Sequence, residues 1–247
     1  MPVLKKRRQN GAIMRKHMCK TGQRLWIYFL IFGLFFMCEI DIAEKLWNVV
    51  WEVGGEPASQ NEVNKKIALT FDDGPHPIYT PELLAGLKER GVVATFFVTG
   101  ANATLYPELI EQMQEDGHMV GNHTYHHVQL SSVGEEIFIQ ELEETNRVLE
   151  GILEEEILYV RPPFGDWAKS IEQEINMFPV LWDIDPLDWC TGNTGQIVKR
   201  VLDKAEENSI ILMHDEYAPS VEAALKIVDE LVEAGYRFVT VEEILLK

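Results

Sequence analysis

Residues 66–247 predict an α/β fold, a distorted seven-stranded (β/α) barrel, on three observations. Short apolar runs alternate with longer amphipathic stretches, the mark of βα repetition on a parallel sheet. Chemically useful polar residues follow one strand after another: Asp72 and Asp73, His123, Arg161, Asp185 and Asp188, and His214. A barrel mouth collects chemistry from the ends of many successive strands, whereas an open doubly wound sheet gathers it at one switch point. Seven strand candidates, rather than eight, make the barrel irregular.

Strands are expected near 67–71, 94–98, 119–121, 157–160, 179–184, 209–213 and 237–240. The first contains Ile67-Ala68-Leu69 and the sixth Ile210-Ile211-Leu212-Met213, each an apolar run that gives way to polar residues. Helices are expected near 81–90, 105–116, 133–151, 167–176, 194–207 and 219–234, where the stretches are longer and amphipathic. A chain of 247 residues buries a substantial core, and nothing in it demands two catalytic domains. No repeat, heptad pattern or low-complexity tract interrupts it.

Forty acidic against twenty-two basic residues give a formal charge of -18, which repels phosphate backbones and excludes nucleic acid as a partner. The basic residues are uneven: Lys5, Lys6, Arg7, Arg8, Arg15, Lys16, Lys20 and Arg24 precede the apolar run from Leu25 to Cys38. Residues 1–24 therefore read as a cytoplasmic flank and 25–43 as a membrane anchor, with the catalytic portion outside in a single-pass arrangement. The uninterrupted run is shorter than the ~20 residues that span a bilayer, and Ile40, Ile42 and Ala43 extend it past Glu39 and Asp41. A cleaved signal and a secreted enzyme are the alternative, but Asp41 is a poor residue before a cut after Ala43. Residues 44–65, with Gly54-Gly55-Glu56-Pro57, read as a linker before the catalytic domain at 66–247. Cys19, Cys38 and Cys190 make no disulfide framework, and Cys190 is an unpaired residue beside the pocket.

Thr70-Phe71-Asp72-Asp73-Gly74-Pro75 places two adjacent carboxylates after the first strand, so that one can hold a metal while its neighbour stays a base. Turn chemistry explains Gly74 and Pro75 but leaves the paired acids unused. In His123-Thr124-Tyr125-His126-His127 two imidazoles stand four residues apart, the spacing that one helical turn brings to a single face. With Asp73 they form a set for zinc that leaves a position for water or substrate. Alone, the pentad also admits a histidine-rich surface turn as the lesser reading. His126 should point elsewhere, and His76 and His118 read as rim residues. Asp72 is the candidate base, with Arg161 as its cationic partner. His214 is the candidate acid, donating to a departing nitrogen while Asp188 holds and charges the imidazole. Arg161-Pro162-Pro163-Phe164-Gly165 forms a rigid wall. Phe164, Trp182 and Trp189 offer apolar surfaces to a sugar ring or acetyl methyl, although an ordinary core position suits Trp182 as well.

These segments, in this order, strongly resemble the polysaccharide deacetylases of carbohydrate esterase family 4, which share the NodB-type homology domain. The resemblance covers roughly 66–247 and includes all five characteristic regions. It implies a distorted (β/α) barrel and a hydrolase of N-acetyl amide bonds, not peptide bonds. The implied partner is an acetylated, N-acetylglucosamine-containing polysaccharide: peptidoglycan first, with chitin or acetylated xylan as alternatives. The implied cofactor is one divalent metal, zinc first, with cobalt, nickel or manganese permitted. By the same resemblance Asp72 is the base, Asp73, His123 and His127 are the metal ligands, and Arg161 orients the base. The backbone amide of Phe164 holds the oxyanion, Asp188 tunes the acid His214, Trp189 lines the acetyl site and Leu212 lies beside the acetyl methyl. Phe164 stands where tyrosine is frequent, and Cys190 where a polar residue is frequent. A noncatalytic carbohydrate-binding homologue and a metallo-phosphoesterase are the rival readings: the retained Asp72, Asp73, His123, His127 and His214 weigh against the first, and the strong acidic balance and continuous fit to the deacetylase motifs against the second.

Overall fold

A computed structural model describes residues 65–246, so the flank 1–24, the segment 25–43 and residues 44–64 of the linker lie outside the described residues. The central strand β1 (Lys65–Asp72) pairs in parallel with β2 (Thr95–Val98) on one side and β6 (Ile210–His214) on the other. Beyond β2 follow β3 (Met119–Asn122), β4 (Tyr159–Val160) and β5 (Phe178–Pro179), all parallel. The chain leaving β5 returns to β6: Ile184 bridges Ile211, and the Asp183 N–H donates to Ile210 O at 2.9 Å. The ring thus closes through a few residues rather than a full strand, the irregularity that the strand count predicts. The seventh strand, β7 (Tyr236–Phe238), pairs with Lys65 to Ile67 at the start of β1.

Both faces of β1 are buried, which is why it reads as a nearly continuous apolar run. Ile67, Leu69 and Phe71 belong to the larger core with Leu83 and Leu87 of α1 (Tyr79–Arg90) and with Ile227 of α7 (Ala218–Glu233). Alternate residues turn the other way. Ala68 joins Phe97, Tyr159, Val180 and Ile210 in a smaller cluster, with Val239, Val241 and Ile244 at the end where β1 begins. Thr70 and Asp72 share the Ala68 side. A Cβ on Gly121 would lie 2.6 Å from the Phe97 ring, so glycine there leaves room for that ring. In the ladders Asp72 lies beside both Phe97 and His214, while Val98, Asn122 and Val160 form the adjoining row. Parallel register therefore delivers Asp72, His123, Arg161 and His214 to one rim.

The helices depart from expectation where local chemistry interrupts the period. The helix expected at 105–116 is α3 (Pro107–Glu115), started by Pro107 at a first-turn position, and an additional short helix, α2 (Gly100–Leu105), precedes it. Gly134, at φ 85, separates α4 (Leu130–Val133) from α5 (Glu135–Leu153). No α-helix forms at 167–176: there Ile171–Gln173 is a single 3₁₀ turn in which only Ile171 is buried. Its apolar spacing resembles a helix, but the Ile171 and Glu174 N–H groups bond three residues back. The stretch 194–207 stops early, as α6 (Thr194–Leu202), and the Asn208 N–H turns back to Lys66 O. A short α8 (Val241–Leu245) carries the interior residues Val241 and Ile244.

His118 is not on the rim but buried ahead of β3, where its Nδ1 accepts the Ala94 N–H at 3.0 Å and its ring meets Phe96 edge-on. Burial pushes its pKa down to about 4 against the pull of Asp116. The folded state therefore favours the neutral ring, while an unfolded chain takes up the proton below about 6.5. The associated stability, on the order of 3 kcal/mol, should be complete above pH ~6.5, decline as pH falls and level off below ~4. Denaturant titrations across this window should show a flatter decline for His118→Asn, which keeps an acceptor for Ala94. Parallel pH profiles for the two proteins would remove His118 from the account.

Candidate active site

Asp72 and Asp73 are sequence neighbours with different backbones. Asp72 ends β1 in extended geometry and is 3% exposed, whereas Asp73 turns into the left-handed region at φ 75. That turn is held from the loop and helix after β2, where Asn102 Nδ2 donates to Asp73 O at 2.8 Å and the Thr99 N–H to Gly74 O at 3.1 Å. Across the rim, residues 123–128 form a loop and not the helical turn that the four-residue spacing suggests. Asn122 builds it, accepting the Thr124 N–H at 2.8 Å while its amide donates to Leu142 O and Asn146 Oδ1. Thr124 at φ 63 and His127 at φ 55 then fold the loop so that the His123 and His127 rings lie 5.0 Å apart. His126 points outward to Glu141, as expected.

Asp73 Oδ1 lies 3.2 Å from His123 Nε2 and 3.3 Å from His127 Nε2, and the three ligand atoms fall within 4.8 Å of one another. Zinc bonds of ~2.0–2.1 Å at tetrahedral angles put neighbouring ligand atoms about 3.4 Å apart, so the set fits a metal with little movement. Two further observations agree. Asp73 Oδ1 is buried without a hydrogen-bond donor. His123 Nδ1 lies 2.6 Å from Arg161 O, which assigns its proton to Nδ1 and leaves the Nε2 lone pair facing Asp73. Although burial opposes it, the neighbouring His123, His127 and His214 imidazoles bring the Asp73 pKa down to about 2. Burial pushes the His127 pKa down, favouring the neutral ring a metal needs.

The remaining expected residues surround this centre. Arg161, fully buried, donates from Nη1 to Asp72 Oδ1 at 2.8 Å and to Thr70 Oγ1 at 2.5 Å. Its Nε and Nη2 reach the Val180 and Leu181 carbonyls, and its guanidinium lies 4.3 Å from the Phe97 ring centre. Asp72 Oδ2 is left facing His123 Nε2 at 3.8 Å. Opposite, Asp188 grips His214 twice, accepting its backbone N–H and contacting Nδ1, both at 2.9 Å. His214 Nε2 then faces Asp73 Oδ2 at 4.0 Å. Burial works against charging His214, but Asp188 outweighs it and raises the pKa to about 9.

A cavity of about 380 Å³ joins Asp72, Asp73, His123, His127 and His214 to apolar walls from Phe164, Trp182, Trp189 and Leu212. Trp182 meets both expectations, lining this cavity while packing against the smaller core cluster. The Phe164 ring lies 4.9 Å from that of His127, and Trp189 is 55% exposed at the edge. Asp185 also reaches the cavity while its carboxylate accepts the Leu187 N–H. Cys190 is an exposed free thiol. Sequence reasoning missed Thr70, which supports Arg161, and Asn102, which supports Asp73. It gave no role to Asp215, the carboxylate that follows His214. Among the described residues, five of the seven non-glycine residues with positive φ, Asp73, Thr124, His127, Phe164 and Leu187, lie around the cavity.

Replacing Asp73, His123 or His127 with alanine should each weaken zinc binding by at least about a hundredfold, whereas His126→Ala should leave it near wild type. Chelator competition and metal content after dialysis give the comparison. Equal zinc retention in all four variants would place the metal elsewhere.

The chain matches the family model for polysaccharide deacetylase over residues 59–180. It is 38% identical over 180 residues to the peptidoglycan-N-acetylmuramic acid deacetylase PdaC of Bacillus subtilis, covering 73% of this chain and 38% of that protein. A peptidoglycan-N-acetylglucosamine deacetylase of Bacillus cereus is 38% identical over 205 residues, covering 80% of this chain and 92% of the relative. The solved structure of PdaC aligns with a TM-score of 0.71 at 38% identity, over 73% of this chain and 90% of that one. The chain thus spans well under half of full-length PdaC but nearly all of the B. cereus relative. Similarity of this extent, on a barrel with this site, establishes that the chain belongs to the polysaccharide deacetylases of carbohydrate esterase family 4.

Proposed function

We propose that this protein is a metal-dependent deacetylase that removes N-acetyl groups from an N-acetylglucosamine-containing polysaccharide, peptidoglycan in the first place. The observation that carries the reading is the division of the carboxylate pair: Asp73 faces two imidazole Nε2 atoms, while Asp72 is held by a buried arginine at the same cavity. The choice of peptidoglycan draws on the named activities of the B. subtilis and B. cereus relatives. The membrane assignment draws on the basic residues before Leu25 and the apolar run after it: the catalytic domain acts outside, anchored through 25–43, with a secreted form as the alternative.

Asp73, His123 and His127 would hold the metal, zinc by the donor set, with cobalt, nickel or manganese compatible with the same ligands. When bound, the metal supplies Lewis acidity to the acetyl carbonyl and to water. Asp72 takes the proton of the attacking water, its Oδ1 fixed by Arg161 and its Oδ2 free toward the cavity. The Phe164 N–H helps hold the developing oxyanion, and Leu212 and Trp189 enclose the acetyl methyl. His214, protonated and oriented by Asp188, gives its Nε2 proton to the departing amine as the carbon–nitrogen bond breaks. The products are acetate and an amino sugar within the polymer.

Metal-replete protein should release acetate from peptidoglycan fragments, and more slowly from chitooligosaccharides. Release from acetylated xylan alone would overturn the substrate assignment. Asp72→Asn and His214→Ala should each lower kcat/KM by about 10²- to 10⁴-fold while zinc content stays near one per chain. Wild-type turnover in either variant would refute the corresponding proton-transfer role.

A further inference from the structure

Asp215 is a fully buried carboxylate with no part in the chemistry above. It directly follows His214 at the end of β6, yet it does not line the cavity. Its Oδ2 accepts the hydroxyl of Thr80, itself fully buried, and that hydroxyl in turn accepts the His76 N–H at 2.7 Å. The His76 ring Nδ1 then accepts the Ile78 and Tyr79 N–H groups at 3.2 and 3.3 Å. Gly74 lies directly against the carboxylate: a Cβ there would stand 2.4 Å from Asp215 Oδ1 and 2.5 Å from Oδ2. Gly74 has no positive φ, so the neighbouring carboxylate, not the backbone torsion, requires glycine.

We propose that Asp215 is the positioning residue of the metal-binding turn: through Thr80 and by contact with Gly74 it fixes where Asp73 sits relative to His214. Asn102 and Thr99 hold the Asp73 and Gly74 carbonyls from one flank, and Asp215 closes the other. Because Asp215 directly follows His214, the same stretch of backbone carries the acid and the stop that locates the metal ligand. Burial raises the Asp215 pKa to about 7, only partly offset by the Thr80 hydroxyl, and Oδ1 has no hydrogen-bond donor. The inference rests on the proposed metal role of Asp73, but not on the identity of the substrate.

Zinc affinity of the apoprotein, read by chelator competition, tests it together with the melting temperature. Asp215→Ala should remain folded and bind zinc about 10- to 100-fold more weakly, and the shape-conserving Asp215→Asn should recover most of that loss. Gly74→Ala should weaken zinc binding comparably. In the Gly74→Ala/Asp215→Ala double variant the added methyl has room, so its affinity should be no lower than that of Asp215→Ala alone. Should Asp215→Ala not fold, Thr80→Val cuts the same link and should give the same loss. Wild-type zinc affinity in the folded Asp215→Ala or Thr80→Val protein, or fully additive losses in the double variant, would overturn the proposal. A wild-type protein that binds zinc but releases acetate from no glycan would instead defeat the deacetylase reading and leave this one standing.

Discussion

The site depends on a guanidinium buried inside the barrel. An isolated charge in such a place costs several kcal/mol, and Arg161 is tolerable there because each of its three nitrogens has a partner. Asp72 and Thr70 of β1 take one nitrogen, the Val180 and Leu181 carbonyls take the others, and Phe97 lies beneath the plane. The same residue's carbonyl fixes the tautomer of His123. One side chain and its own backbone therefore orient both the proposed base, Asp72, and a proposed metal ligand, His123. The arrangement reaches down to Gly121, whose lack of a Cβ leaves Phe97 its place. It also constrains substitution, because removing the Asp72 carboxylate strands a cation in the interior.

Neighbouring carboxylates acquire different chemistry from backbone geometry alone. Asp72 keeps the strand's alternation and points at Arg161, whereas Asp73, one residue later, enters the left-handed region and points at two imidazoles. Each adopts a role that its partner is positioned to exclude. At the end of the neighbouring strand His214 is also fixed by its partner, since Asp188 occupies both its backbone N–H and Nδ1 and leaves Nε2 to the cavity.

Much of this was legible in the sequence. Apolar runs bounded by polar residues located the strands, since buried parallel strands leave little else to read. The ends of those strands located Asp72, His123, Arg161 and His214, because parallel register brings strand ends to one rim. What stayed hidden was set by contacts between distant residues. The His123 to His127 spacing has the period of a helix, but Asn122 and two left-handed residues make it a loop. Positive φ at Asp73, Thr124, His127, Phe164 and Leu187 carries no glycine to announce it. Residues 167–176 show helical spacing although Ile171 alone reaches full burial there, and His118 looks polar until its Nδ1 is seen to satisfy Ala94. Asp215 gave no signal beyond its charge.

The central claim is that one metal is held by Asp73, His123 and His127 while Asp72 stays free for proton transfer. Anomalous diffraction from zinc-loaded crystals tests it most directly. The account predicts a single peak about 2.0–2.2 Å from Asp73 Oδ1, His123 Nε2 and His127 Nε2, with Asp72 still bound to Arg161 and outside the coordination sphere. A peak coordinated by Asp72, or one remote from the two imidazoles, would contradict it.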